Sequence, residues 1–178
     1  MAGAVYPAID LTAGERERGT MEALIVSPTP TAVLLLAKYS AVVTVSLLTA
    51  LANLAAMSLT LWASGIGKLF GDGLLSLGVI GTILALLVLF TMFFAALLLA
   101  VTSFAKSFKE AQAYLIPLML LALTPGVMSL MPGIKFTGLL ATVPLVNIVL
   151  LARQVLVGEA EWNTAMVAIL CNSIYALT

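Results

Sequence analysis

Long stretches without an Asp, Glu, Lys or Arg side chain alternate with short polar junctions along this chain, and the stretches are the length of bilayer crossings. None of these four residue types occurs between Lys38 and Lys68. As a helix, residues 39–62 would extend about 35 Å, enough to cross a hydrocarbon core of about 30 Å, with Tyr39 and Trp62 near the two interfaces. The pattern predicts a first span over residues 38–64 and, after a Gly-rich turn at 65–73, a second over 74–105 that is apolar on every face at its centre. A polar hinge from Ser103 to Glu110 precedes a third span at 111–131, which Pro117 and Pro125-Gly126 should kink or break.

Beyond Pro132-Gly133, residues 136–152 are apolar but short and carry Pro144 and Asn147, which predicts a re-entrant or interfacial helix rather than a crossing. A polar connection from Arg153 to Glu161 leads to a last, truncated-looking span at 162–178. Residues 1–13 read as the end of a helix, since they lack the basic start and uninterrupted apolar core of a signal peptide. The expected architecture is an all-α integral membrane protein. It is a polytopic helical bundle of about three full spans, one re-entrant or interfacial helix and partial helices at both ends, forming a single domain over 1–178. The partial helices predict a fragment, or a half-subunit completed by partners.

Composition agrees: 62% of residues are hydrophobic and 9% charged, where soluble domains carry roughly a quarter charged residues. Eight basic and eight acidic side chains balance, so the chain offers no basic face for nucleic acid. Histidine is absent and Cys171 is the single cysteine, so no cofactor or metal site is expected. The predicted spans hold no carboxylate, which leaves intramembrane proteolysis without a base and ion-coupled transport without its usual buried charges. Gly65-Ile-Gly-Lys68 lacks the spacing and the following Ser/Thr of a phosphate loop. Asn53 and Asn147 are candidate substrate-path residues, although amides in lipid more often bond helix to helix.

The charges concentrate instead near the amino end. Six of the sixteen lie within residues 10–22, where Gly14 and Gly19 bracket Glu15-Arg16-Glu17-Arg18. From Thr20, a plausible N-cap, Met21, Leu24 and Ile25 share one face of a short helix ending at Ser27-Pro28, with Glu22 in its first turn. Residues 14–30 therefore read either as a solvated loop with mutual ion pairs or as an interfacial element presenting charge to a partner. Five basic residues on this side (Arg16, Arg18, Lys38, Lys106 and Lys109) against three on the other (Lys68, Lys135 and Arg153) predict that it is cytoplasmic.

The run from Tyr6 to Pro28, followed by Leu34-Leu-Leu-Ala-Lys-Tyr39, resembles the cytoplasmic loop of type-2 ABC transporter permeases of the sodium-export, NatB-like kind. Ser107-Phe-Lys-Glu-Ala-Gln112 and Val143-Pro-Leu-Val-Asn-Ile148 are similar to the same family, so the resemblance covers nearly the whole chain. It implies a non-catalytic permease subunit of an exporter in the cell membrane. It also implies two partners, an ABC ATPase subunit and a second permease subunit in a homo- or heterodimer, besides membrane lipid. Glu15, Arg16, Glu17, Arg18, Gly19, Thr20 and Glu22 would be the ATPase-coupling residues. Such permeases usually have six helices and a large extracellular insertion, and this chain would begin in the second helix and end in the sixth. Two other readings stand beside it: a membrane anchor or assembly component without transport, and the membrane part of a permease fused to an intramembrane protease.

Overall fold

The computed structural model describes residues 2–64, 77–130, 146–157, 166–167 and 170–171. Every regular element among the described residues is helical. In chain order these are α1 (Ala2–Ile9), a π-helical turn (Asp10–Gly14), α2 (Glu15–Glu17), α3 (Thr20–Val26), α4 (Thr31–Ala63), α5 (Leu77–Ser103), α6 (Phe108–Leu130) and α7 (Val146–Val157). Segments of α4, α5 and α6 (Thr31–Thr60, Gly81–Ser103 and Phe108–Ser129) are long and apolar enough to cross a membrane. The chain is an all-α, multi-pass membrane protein.

Helix α4 starts seven residues ahead of the expected boundary at 38, because Pro30 supplies the start signal and its carbonyl accepts from the amides of Val33 and Leu34 at 3.0 and 3.3 Å. Lys38 therefore lies about two turns inside the helix rather than at its end. Helix α6 runs unbroken through both prolines, where a kink or a break was expected. Pro125 has no N–H for the carbonyl of Leu121, and the Thr124 hydroxyl donates to that carbonyl at 2.7 Å, which keeps the turn satisfied. Helix α7 continues through Arg153 to Val157, where a polar connection was expected, since no Gly or Pro intervenes before Gly158. The Gly-rich turn, Pro132-Gly133, most of the predicted re-entrant segment and nearly all of 162–178 lie outside the described residues.

The chain divides into two compact units, Met1–Thr49 with Thr91–Leu120, and Ala50–Phe90 with Leu121–Thr178. In the first unit α5 buries Thr91, Phe94, Ala95, Leu98 and Thr102, three to four residues apart along one stripe. Helix α1 contributes Ala4, Val5, Ala8 and Ile9, α4 contributes Val42 and Ser46, and α6 contributes Ala111 and Leu115. Small residues bring these helices close: a Cβ on Gly3 would lie 2.6 Å from the Thr49 side chain. The Thr102 hydroxyl, fully buried, donates to Leu98 at 2.8 Å and reaches the Ala8 carbonyl of α1 at 3.4 Å. Tyr39 donates across to the Met92 carbonyl at 3.1 Å. In the second unit, Leu86, Ile148 and Leu151 form a buried cluster with Phe90 and Ala152 packed against it. The outward positions of α4 and α6, among them Leu35, Leu36, Ile116 and Leu120, are exposed and apolar, as a hydrocarbon surround requires.

Candidate functional site: the charged segment and the helix ends it joins

The first unit holds the whole charged segment. Helix α1 passes into the π-helical turn just after Pro7, and the Thr12 hydroxyl donates back to the Ala8 carbonyl at 2.6 Å, satisfying a group that the widened turn loosens. The turn buries Ala13 and Gly14, and a Cβ on Gly14 would meet the Asp10 carboxylate at 3.0 Å. One further turn, α2, then carries the charges. Gly19 follows with φ +71° and ψ 8°, a left-handed conformation that glycine adopts without steric cost. It sits in the N-cap position of α3, displacing Thr20 from the expected role. Thr20 is instead the first helical residue, and its hydroxyl donates to the Glu15 carbonyl at 3.1 Å. Glu22 occupies the first turn of α3, as expected.

Four consecutive residues on a helix point in four directions, about 100° apart, and Glu15 to Arg18 use all of them. Glu15 pairs with Lys38 of α4, and both side chains are largely buried, at 17% and 15% exposure. Arg16 donates from Nη1 to the carbonyl of Ala105, just past the end of α5, at 3.0 Å. Glu17 accepts the amide of Phe108, the first residue of α6, at 2.8 Å. Arg18 pairs with Asp10 on the preceding turn, both substantially exposed. The four charges do not pair among themselves, as a solvated loop would allow. Three of them reach different membrane helices.

The signs match the ends they meet. A helix C-terminus carries partial negative charge and an N-terminus partial positive charge, so Arg16 beside the end of α5 and Glu17 at the start of α6 are both favourable. The corner between these helices is itself capped. Glu110 donates its amide to the Ser107 hydroxyl at 3.3 Å, and its carboxylate accepts from the Lys106 amide at 2.8 Å and the Tyr114 hydroxyl at 2.6 Å. Two carboxylates, Glu17 and Glu110, thus serve the start of one helix. Tyr6 of α1 adds a tilted ring contact to Phe108 at 6.4 Å between centroids.

Glu15 to Thr20 and Glu22, expected in one element, are divided between α2, the Gly19 turn and α3. Their partners are not legible from the residue pattern alone. Ser107-x-x-Glu110 is a readable capping signature within what looked only like a polar hinge. The Ala105 carbonyl and Phe108 amide are backbone groups and leave no mark in residue types. On the outer side, Glu22, Ala23 and Val26 of α3 are exposed, Val26 by 85%. Of the two amides proposed for a substrate path, Asn53 is exposed on α4 and Asn147 is fully buried near the start of α7, both in the second unit.

A family model described as ABC-2 family transporter protein matches residues 2–176. The chain is 28% identical over 170 residues to the ABC transporter permease protein NatB of Bacillus subtilis (strain 168), an alignment covering 93% of this chain and 44% of that relative. The chain therefore spans less than half the length of that curated protein. No solved structure matches it.

Proposed function

The chain belongs to the ABC-2 family of transporter proteins, and from that premise we propose that it is the membrane-embedded permease portion of an ABC exporter of the cell membrane. It hydrolyses nothing itself. It pairs with a second permease subunit and draws power from an ABC ATPase subunit that docks on residues 14–30 at the cytoplasmic face. The observation that carries this reading is the hub at Glu15–Arg18, which ties a surface helix to the end of α5, the start of α6 and Lys38 within α4. A purely solvated loop would have no use for such connections, and a passive anchor would not need its charges matched to two opposed helix ends. Asn53 and Asn147 are the polar points proposed for the substrate route. The apolar interior suits lipids, hydrophobic drugs or peptides.

The test is reconstitution with the ABC ATPase encoded beside the chain's gene. Wild type should raise ATP turnover in vesicles. The double variant Glu17→Lys, Glu22→Lys should insert normally and lose that stimulation. Unchanged stimulation by the variant would contradict the proposed coupling.

A further inference from the structure

Docking alone does not explain how motion of a short surface helix reaches the spans, and the structure contains a specific connection. Resting on the transport reading, we infer that Glu15, Arg16 and Glu17 are positioning residues that, through their bonds to other helices, transmit motion from α3 to the α5–α6 corner and to α4, rather than contacts for the ATPase subunit.

Three observations support this division of labour. The hub residues already spend their charge within the chain: Glu15 on Lys38, Arg16 on the Ala105 carbonyl and Glu17 on the Phe108 amide. Helix α3 differs in its bonding: among the described residues the Glu22 side chain makes no ion pair or hydrogen bond, and Val26 is 85% exposed. Between them stands Gly19, whose added Cβ would meet nothing within 4 Å. Its glycine is thus explained by backbone conformation alone, as a swivel joining the hub to α3. Arg16 and Glu17 grip the two sides of one corner with opposite charge, so a displacement of α2 bears on the end of α5 and the start of α6 together.

The arrangement makes a directional prediction about charge. Exchanging the partners of the Glu15–Lys38 pair preserves an ion pair. Exchanging Arg16 with Glu17 preserves composition and net charge but sets each residue against its helix end.

The experiment uses the full chain with its ATPase subunit in nanodiscs, comparing the nucleotide-free complex with one trapped by MgATP and orthovanadate. Two quantities are read: retention of the ATPase subunit, and amide exchange in the peptide covering residues 104–110. In wild type, trapping should change that exchange. Glu17→Ala should speed Phe108 exchange about tenfold in the nucleotide-free state, the loss expected for a hydrogen bond to a charged acceptor. It should also abolish the response to trapping while the ATPase subunit stays bound. Arg16→Glu with Glu17→Arg should behave likewise, whereas Glu15→Lys with Lys38→Glu should regain the response that Glu15→Lys alone loses. Glu22→Lys with Val26→Asp should release the ATPase subunit. A full wild-type response in Glu17→Ala overturns the inference alone, as does release of the ATPase subunit by Glu17→Ala. A wild-type chain that never holds an ATPase subunit overturns the transport reading and the inference with it.

Discussion

Removing Lys38 isolates the most buried of the hub's ionic links. With Glu15 and Lys38 side chains at 17% and 15% exposure, the pair falls between exposed ion pairs, worth under about 1 kcal/mol, and fully buried ones, whose rupture costs about 3–5 kcal/mol. An intermediate loss of about 2 kcal/mol is expected for Lys38→Met, which keeps most of the apolar stem and leaves the Glu15 carboxylate without its cation. Glu15→Gln should lose a similar amount, and the double variant little more than either single change. The resulting coupling of about 1.5 kcal/mol exceeds the average of about 0.6 kcal/mol measured for interhelical hydrogen bonds inside a membrane protein. Equilibrium unfolding in mixed detergent and SDS micelles measures all four members of the cycle. Raising salt should reduce the coupling little, because the pair is shielded from the ions that screen exposed charges. A coupling under about 0.5 kcal/mol would show that the two groups do not act as a pair and would refute the reasoning.

Other expectations concern backbone and packing. Gly3→Ala should lower stability by about 1–3 kcal/mol, because the new methyl would enter the space of the Thr49 side chain, and Thr49→Ala should restore part of it in the same unfolding assay. Gly19→Ala should lose about 1 kcal/mol through its left-handed φ alone, and Gly19→Asn clearly less, by thermal unfolding. Ser107→Ala should lose about 1 kcal/mol by removing the acceptor for the Glu110 amide, with faster amide exchange confined to the first turn of α6.

What the residues revealed depended on the range over which each signal acts. Hydropathy is a property of whole segments, so the three long helices were legible. Their ends were less so. Lys38 looked like the boundary of the first span because a lone cation is unfavourable in lipid, yet it enters α4 by pairing with Glu15, 23 residues away in sequence. Pro125 looked like a breaker because its missing amide is local, whereas the hydroxyl that compensates belongs to its neighbour Thr124. The charged segment was recognisable from its density and bracketing glycines. Its connections to the α5–α6 corner were not, since Arg16 and Glu17 meet main-chain atoms about 90 residues on, which any residue type but proline would supply.

Coupling to an ATPase subunit requires that the charged segment face the cytoplasm. The Glu22 side chain is exposed and has no partner among the described residues, so Glu22→Cys in a Cys171→Ala background provides a thiol that should disturb the hub little. A membrane-impermeant maleimide should label it in inside-out vesicles and leave it untouched in intact cells. Labelling in intact cells, with protection in inside-out vesicles, would place the segment outside, where no ATPase subunit can reach it, and would contradict the coupling role assigned to it.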